Sequence, residues 1–510
     1  MHSAPSRPRA RIVAIAVAML VIAVVAPSAG AADSSETKGF RKAVTLAGVR
    51  EHQAALQAIA TANGGTRLSG TPGYDASVDY VQDKLEAAGY AVTIMPFTYQ
   101  LVSDVTPPEF RQVSPTPTTY VNGVDYATMS YSGSGNVTAP LQTPSGDQLG
   151  CSTSDWAGFT PGSVALVLRG ACTFRLKATN AVAAGASAVI VYNNIPGLIN
   201  GTLGEPRFSH PVLGTTQALG QSLVAQMGSG PVTVHIKTDT IAEDRETYNV
   251  IAETASGDPH NVVVVGAHLD SVSRGPGIND NGSGSAAILE VAEQFAAQGR
   301  VARNKLRFMW YGAEESGLIG STRYVASLNA AQRDDIMAML NFDMIGSPNF
   351  VRFVYDGDGS ASAPAGPPGS AFIEDVFVDY FNSQGLASAP TQFSGRSDYR
   401  PFIDIGIPAG GLFTGAEGIK TAGEAAIYGG TAGQPYDPCY HLACDTFANN
   451  SNTGLDQMSD AVAHAVLIMS KVKVDISMSA ASAALRSAES GSGAVDAGPH
   501  PDHEHDAEDH

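Results

Sequence analysis

Apolar residues recur along the chain in spacings that change from one region to the next. Before residue 100 they recur every three or four positions, which predicts one helix within residues 33–60 and another over Ala76–Ala88. Between about Val105 and Ile241, short apolar runs stand among Pro, Gly, Ser and Thr, which predicts a separate β-rich unit. From Thr247 onwards, apolar runs alternate with amphipathic stretches, a pattern typical of strands that alternate with helices.

The alternating region predicts the fold class. Its strands are expected at Tyr248–Glu253, Val262–Ala267, Leu306–Tyr311, Ala338–Phe342 and Ala409–Phe413. Its helices are expected at Ser285–Ala297, Gly317–Ser327, Ala371–Phe381 and Met458–Lys471. Continuously apolar strands are buried on both faces, so we predict an α/β domain with a doubly wound, largely parallel central sheet and helices on both faces.

The β-rich unit is interpreted as an insertion into this domain. It carries predicted strands at Val164–Leu168, Ala188–Tyr192 and Val232–Ile236, and a helix at Lys177–Ala184. The helix pair before residue 100 and the α/β region are each incomplete alone, whereas together they make one domain of ordinary size. The predicted organisation is a signal segment 1–31, a first part 32–104, the insertion 105–245, a second part 246–476 and a disordered His/Asp-rich tail 477–510.

The N-terminus predicts export. Arg7, Arg9 and Arg11 precede an apolar run over Ile12–Ala26, and the small residues Ala29-Gly30-Ala31 follow it. This run is short for a membrane span, which needs about 20 apolar residues. We therefore predict a cleaved secretory signal and an extracellular protein without a membrane segment after cleavage, with a retained N-terminal anchor as the alternative.

The net charge limits the expected binding partners, and the cysteine content bears on the expected disulfides. The formal net charge of −19 disfavours binding to nucleic acid and to anionic lipid. Export permits disulfides, and proximity favours the pairs Cys151 with Cys172 and Cys439 with Cys444. Three pairings are possible for four cysteines, and buried free thiols are the alternative.

Acidic and histidine side chains cluster where the predicted strands end. Parallel strands deliver such residues to one edge of a sheet, where ligands bind. Uncompensated buried carboxylates cost several kcal/mol each, so cations are the simplest way to hold them together. Nitrogen and oxygen donors without thiolate suit zinc or another divalent ion, and one carboxylate can bridge two ions. The candidate residues are His268, Asp270, Asp280, Glu314, Glu315, Asp343 and, after Tyr440, His441.

Five segments in this order resemble the secreted co-catalytic di-zinc aminopeptidases of the bacterial leucyl aminopeptidase family. They are His268-Leu-Asp270, Asn279–Gly284, Ala313–Gly317, Asn341–Gly346 and Cys439-Tyr440-His441. The resemblance implies two Zn²⁺ per chain, one held by His268 and Asp343 and the other by Glu315 and His441, with Asp280 between them. It further implies that Glu314 is the general base, that Asp270 orients His268 and that Tyr440 donates to the oxyanion.

Two further resemblances concern the substrate. The segment Ser394–Phe402 resembles the stretch that surrounds the free amino end of the substrate, with Arg396 in it and Tyr399 where relatives usually carry His. The resemblance also implies that Phe413 lines the pocket for the substrate side chain, although ordinary core packing is an equal alternative. The run from Gly162 to Asn194 is similar to the protease-associated (PA) domain, which implies that the insertion covers the mouth of the active site.

The expected function is therefore a secreted, monomeric zinc aminopeptidase that removes an apolar residue such as Leu from peptide or protein N-termini. A carboxypeptidase or dipeptidase of the same fold is the alternative, because Arg274, Arg396 and Arg400 could bind a terminal carboxylate. A peptide-binding protein with a vestigial metal site is a second alternative. The chain has neither a Gly-x-Ser-x-Gly elbow nor an HExxH motif. The sequence neither predicts nor excludes an additional calcium site.

Overall fold

The computed structural model describes Met1, residues 37–199 and residues 201–473. Apart from Met1, the predicted signal segment 1–31 lies outside these described residues, and so does the tail 477–510. Within the described part of the chain, no helix combines the length and the apolar content that a bilayer crossing requires.

After a short helical stretch at residues 37–41, the described first part of the chain forms two longer helices and a long strand. They are α1 Leu46–Ala62, α2 Pro72–Ala87 and β1 Ala91–Ser114. Helix α1 begins at Leu46 because Thr45 caps it from an extended backbone, and the Thr45 hydroxyl accepts the N–H of Gly48 at 3.1 Å. The apolar spacing that predicted a helix within residues 33–60 therefore spans this cap.

The middle region contains short elements and a second long strand. In chain order they are β2 Thr118–Thr119, β3 Tyr126–Thr128, β4 Gly135–Gln142, β5 Val164–Leu168, α3 Phe174–Ala183, β6 Ala188–Tyr192, β7 Val212–Thr215, α4 Gln217–Met227 and β8 Thr233–Glu253. Helix α3 starts three residues before its predicted first residue, Lys177, because Thr173 caps it. A disulfide joins Cys151 to Cys172, as predicted.

The last region alternates strands and helices. In chain order they are β9 Asp258–His268, α5 Gly282–Ala297, β10 Asn304–Tyr311, α6 Ile319–Ser327, α7 Ala330–Asp334, β11 Ile336–Phe342, β12 Phe353–Tyr355, α8 Ser370–Ser383, β13 Ala389–Thr391, α9 Arg400–Asp404, β14 Ala409–Phe413, α10 Ala422–Tyr428 and α11 Asn452–Met469.

The strands of this region form the central sheet together with β8 and β1, in the order β13-β12-β14-β11-β9-β10-β8, with β1 beside β8. Strand β9 is parallel to both β10 and β11, and β11 is parallel to β14. The antiparallel pairs are β12 with β14, β10 with β8, and β8 with β1. The predicted α/β class with a largely parallel central sheet is confirmed.

Alternate residues of β9 face two helical layers. Val263 and Val265 pack in one buried cluster with residues of α1, α2, α5 and α11. Val262 and Val264 pack in the opposite cluster with Tyr324 of α6. Burial on both faces explains why this strand is a continuous apolar run.

An antiparallel ribbon of β1 and β8 connects the inserted unit to the central sheet. The pairing runs from Ala91 opposite Glu253 to Ser114 opposite Thr233. Strand β8 pairs with β10 at its carboxyl end and with β4 at its amino end. One continuous sheet therefore passes from one unit into the other, and the predicted boundaries, residues 105 and 245, fall within the ribbon.

Candidate active site

The predicted ligands meet at the carboxyl edge of the central sheet. Strand β9 ends at His268, Glu314 and Glu315 follow β10, and Asp343 follows β11 directly. These three strands are adjacent and parallel, so their carboxyl ends lie side by side. Asp280 reaches the same edge from the loop that precedes α5.

Two groups of side chains share Asp280. The Nε2 of His268 lies 3.2 Å from Oδ1 of Asp280 and 3.3 Å from Oδ1 of Asp343. The Nε2 of His441 lies 3.1 Å from Oδ2 of Asp280 and 3.0 Å from Oε2 of Glu315. Each group offers three ligand atoms that lie within 4.8 Å of one another. This geometry suits two cations bridged by one carboxylate.

The unpaired oxygens in these groups fit metal binding. Oε1 of Glu315 and Oδ1 of Asp343 are buried and have no hydrogen-bond partner among the described residues. Burial and the charge of Asp280 raise the pKa of Glu315 to about 6 although His441 lowers it. A set of imidazole nitrogens and carboxylate oxygens without thiolate is a zinc-type donor set.

Asp270 links the first histidine to the loop after β10. It is fully buried, and its carboxylate accepts the backbone N–H of Glu314 at 3.2 Å and of Glu315 at 3.4 Å. The Nδ1 of His268 lies 3.5 Å from the Asp270 carboxylate and 3.2 Å from the Asp270 backbone oxygen. Asp270 thus restrains both the ring and the loop that carries two candidate residues.

Glu314 lies beside the first group of ligands. Its Oε2 is 3.8 Å from Nε2 of His268, and its side chain is buried. Burial, together with the charges of Glu315 and Asp398, raises the pKa of Glu314 well above its ordinary value, although His268 lowers it. A carboxylate with a raised pKa next to a cation site is suited to accept and return a proton.

Tyr440 and Arg396 lie next to His441 and contact each other. The ring of Tyr440 stacks on that of His441 with centroids 3.8 Å apart, and its hydroxyl accepts from Nη2 of Arg396 at 3.0 Å. Arg396 also donates from Nη1 to Oε1 of Glu417 at 2.8 Å. Burial raises the pKa of Tyr440 well above 10 although Arg396 lowers it, so the phenol keeps a proton to donate.

Phe413, Tyr399 and Arg400 make their contacts outside the two ligand groups. Phe413 is half-buried at the end of β14 and stacks on Phe353 with centroids 6.0 Å apart. Tyr399 is fully buried, and its hydroxyl accepts the N–H of Gly395 at 2.7 Å, so it holds the loop of Arg396. Arg400 pairs with Asp404 at 2.7 Å on the surface.

The loop that carries His441 is closed by the second predicted disulfide, which joins Cys439 to Cys444. Asp445 comes next, and its carboxylate accepts the backbone N–H of Asn279 at 2.8 Å and of Asp280 at 2.9 Å. This connection joins the loop of one histidine to the loop of the shared carboxylate. The sequence motifs around Asp445 do not predict this role.

Arg67 was missed by sequence reasoning. It is fully buried and donates to the backbone oxygens of Leu269, Pro276 and Gly277, the last two at 2.9 and 2.6 Å. Burial lowers the pKa of Arg67 to about 10. Arg67 therefore supports the loop that leads to Asp280, and no motif around it in the sequence signals this.

Comparisons with known proteins agree with this geometry. Residues 249–466 match the family model described as peptidase family M28, and residues 137–223 match the PA domain. An aminopeptidase from Pseudomonas aeruginosa is 47% identical over 438 residues, which cover 83% of this chain and 81% of the relative. A probable leucine aminopeptidase 2 from Aspergillus fumigatus is 43% identical, covering 78% of each chain.

Solved structures give the same result. An aminopeptidase from Aneurinibacillus sp. strain AM-1 has a TM-score of 0.69 at 27% identity, covering 86% of this chain and 97% of its own. A zinc aminopeptidase from Bacillus subtilis has a TM-score of 0.60 at 25% identity, covering 85% and 97%. The chain therefore belongs to peptidase family M28 and carries a PA domain. The expectation of a metal-dependent peptide hydrolase is confirmed.

Proposed function

We propose that the chain is a secreted aminopeptidase that uses two Zn²⁺ ions to remove an apolar N-terminal residue, such as Leu, from peptides. The observation that carries this proposal is the pair of ligand groups that share Asp280, each with a histidine nitrogen and carboxylate oxygens within 4.8 Å. The relatives named aminopeptidase and leucine aminopeptidase support the polarity and the side-chain preference.

In this proposal His268 and Asp343 would hold one Zn²⁺, Glu315 and His441 would hold the other, and Asp280 would contribute to both sites. When bound, such ions lower the pKa of water and polarise a carbonyl group. Within the chain, the carboxylate of Glu314 takes a proton from the attacking water and returns it to the leaving amine. The raised pKa of Glu314, caused first by burial, suits the return of that proton.

Three further residues position these groups. Asp270 fixes the ring of His268 and the backbone of Glu314 through the contacts described above. Tyr440 donates from its hydroxyl to the oxyanion that forms on the substrate carbonyl. Arg396 contacts Tyr440 and Glu417, so we propose that it acts on the substrate through Tyr440, while Phe413 borders the side-chain pocket.

We further propose that the PA domain, within residues 105–245, limits access to the site. Its Glu205 pairs with Arg323 of α6 at 2.9 Å, and Thr202 approaches Gly317, two residues after Glu315. These contacts support a position of the PA domain near the loop that carries Glu315. Residues 32–104 and 246–476 form the catalytic domain in this proposal.

The test is hydrolysis of leucyl anilide and leucyl peptides by the purified chain, with N-acetylated substrates as controls. We expect cleavage of the free-amine substrates alone, loss of activity with chelator and recovery with zinc. Glu314→Gln should lower kcat by at least about a hundredfold while zinc content stays unchanged. Cleavage of N-acetylated peptides from the carboxyl end would instead identify a carboxypeptidase.

A further inference from the structure

A second group of possible ligands lies between helices α1 and α5. His52 comes from α1, and Glu290 and Glu293 come from α5. Their ligand atoms lie within 4.8 Å of one another. Glu290 is eight residues beyond Gly282, which places this group about 12 Å along α5 from the end that follows Asp280. The group is therefore separate from the catalytic ligands.

His52 is buried with one ring nitrogen unused. The side chain is 2% exposed, and Nδ1 lies 2.8 Å from the hydroxyl of Tyr80. Nε2 lies 3.3 Å from Oε2 of Glu293 and 3.7 Å from Oε2 of Glu290, yet it forms no hydrogen bond of acceptable geometry with a described residue. When the Tyr80 oxygen accepts the Nδ1 hydrogen, the Nε2 lone pair faces both carboxylates, as in a metal-binding imidazole.

Glu290 is held in place with one oxygen left for a cation. It is 4% exposed, and its Oε1 accepts from Nε2 of Gln294 at 3.2 Å and from the N–H of Thr45 at 3.5 Å. Gly48 permits this close approach, because a Cβ at that position would lie 2.4 Å from the Glu290 carboxyl group. Oε2 of Glu290 faces His52.

The group borders a cleft through which an ion can enter. The cleft has a volume of about 410 Å³ and is open to solvent. Glu293 is 23% exposed in it, and Nζ of Lys84 lies 4.0 Å from Oε1 of Glu293 and 3.4 Å from Glu51. Lys84 lies closer to Glu51 than to Glu293. Its contact with Glu293 is to Oε1, so Oε2 of Glu293 remains available to face His52.

We propose that His52, Glu290 and Glu293 bind a divalent first-row metal ion that joins α1 to α5. One imidazole nitrogen and two carboxylates are a donor set that such ions accept, with water completing the coordination. Helix α5 follows the bridging Asp280, so an ion here stabilises the packing behind the catalytic site. The proposal does not depend on the proposed peptidase mechanism.

A proton on His52 is the competing occupant. Burial lowers the pKa of His52, but the two glutamates raise it further, so the net shift is upwards. An imidazolium ion would join the same two carboxylates without a metal. The experiment must therefore count metal ions rather than measure stability alone.

The test compares Glu293→Gln with Glu51→Gln in the full chain. Glu51 lines the same cleft and pairs with Lys84, but it is not in the metal group, which makes it the matched control. Each protein is equilibrated with buffered Zn²⁺ at pH 8, and bound zinc is measured by elemental analysis. The His/Asp-rich tail and the catalytic ligands are the same in all three proteins, so only the difference counts.

We expect Glu293→Gln to bind one zinc ion fewer per chain than the wild type and Glu51→Gln. Its melting temperature should also rise less when zinc is added. Equal zinc content in the three proteins would overturn the proposal in favour of the imidazolium ion. Anomalous diffraction at the zinc edge from zinc-equilibrated wild-type crystals needs no variant: a peak beside Nε2 of His52 supports the site, and its absence overturns it.

Discussion

Replacement of Asp270 by Asn tests how a buried carboxylate behind the proposed metal ligands supports them. Asp270 is fully buried and accepts the N–H groups of Glu314 and Glu315 with its two oxygens. Asn retains one acceptor oxygen and places an NH₂ group where the other was. One backbone N–H therefore loses its acceptor, which costs about 1–3 kcal/mol of folding stability.

We expect the same change to weaken zinc binding. Loss of a carboxylate that supports a histidine ligand lowers metal affinity about 10- to 100-fold, which corresponds to about 1.4–2.7 kcal/mol. The Nδ1 of His268 also lies 3.2 Å from the backbone oxygen of Asp270, and this contact survives in the variant. We therefore expect the lower end of the range, about tenfold. At saturating zinc, kcat should still fall, because the backbone of Glu314 is less restrained.

The assay is competition with a zinc chelator of known affinity, followed by kcat at saturating zinc. Asp356→Asn is the matched control: Asp356 is also fully buried and accepts backbone N–H groups, from Ser360 at 3.1 Å and Ala361 at 2.9 Å. It should lose stability but keep zinc affinity at the two groups that share Asp280, which do not include Asp356. Zinc affinity of Asp270→Asn within twofold of the wild type would refute the reasoning.

Three further predictions concern the two disulfides, Tyr440 and the half-buried Glu374. Replacement of Cys439 and Cys444 by Ser should cost about 2 kcal/mol of stability and weaken zinc binding by His441, which chelator competition measures. The Cys151/Cys172 double variant should keep kcat, which leucyl anilide hydrolysis measures. Tyr440→Phe should lower kcat about a hundredfold with little change in KM, and an unchanged kcat would exclude the oxyanion role. Burial and the charges of Asp356 and Asp358 raise the pKa of Glu374 to about 7, above its unfolded value near 4.5. Between these pH values the folded state keeps the proton that the unfolded state has lost, so the free energy of unfolding falls as pH rises. Glu374→Gln in chelator should therefore show a smaller fall in melting temperature from pH 5 to pH 8 than the wild type, and an equal fall would contradict this.

The central sheet could be predicted from the sequence because its strands are buried on both faces. Val262–Ala267 and Ala409–Phe413 are short, uninterrupted apolar runs, and the candidate ligands follow such strands directly. The topology then brings these strand ends together. Helix ends were less well predicted, since caps such as Thr45 and Thr173 decide them rather than the apolar period.

The β1–β8 ribbon could not be predicted in the same way. Most of the 24 positions of strand β1 are exposed or half-buried, and its one short apolar run, Ile94–Phe97, is followed by mixed polar and apolar residues. Its stability comes from pairing with β8, which is distant in sequence, and such pairing leaves little local signal. The left-handed backbone of Ala313 and His441, with φ of 54° and 57°, is equally unmarked, because residues other than Gly rarely adopt it.

Asp280 depends on contacts that extend well beyond the ligands themselves. Its backbone N–H is bound by Asp445, which follows the disulfide-closed loop of His441, and Arg67 supports the loop that precedes it. Helix α5 begins two residues after it and packs against α1 through the group of His52 and Glu290. The position of the Asp280 carboxylate, the proposed metal bridge, is therefore set from both sides of the loop. A change at the α1–α5 contact should consequently alter zinc affinity at the catalytic site less than a change at Asp445, which contacts the Asp280 backbone directly.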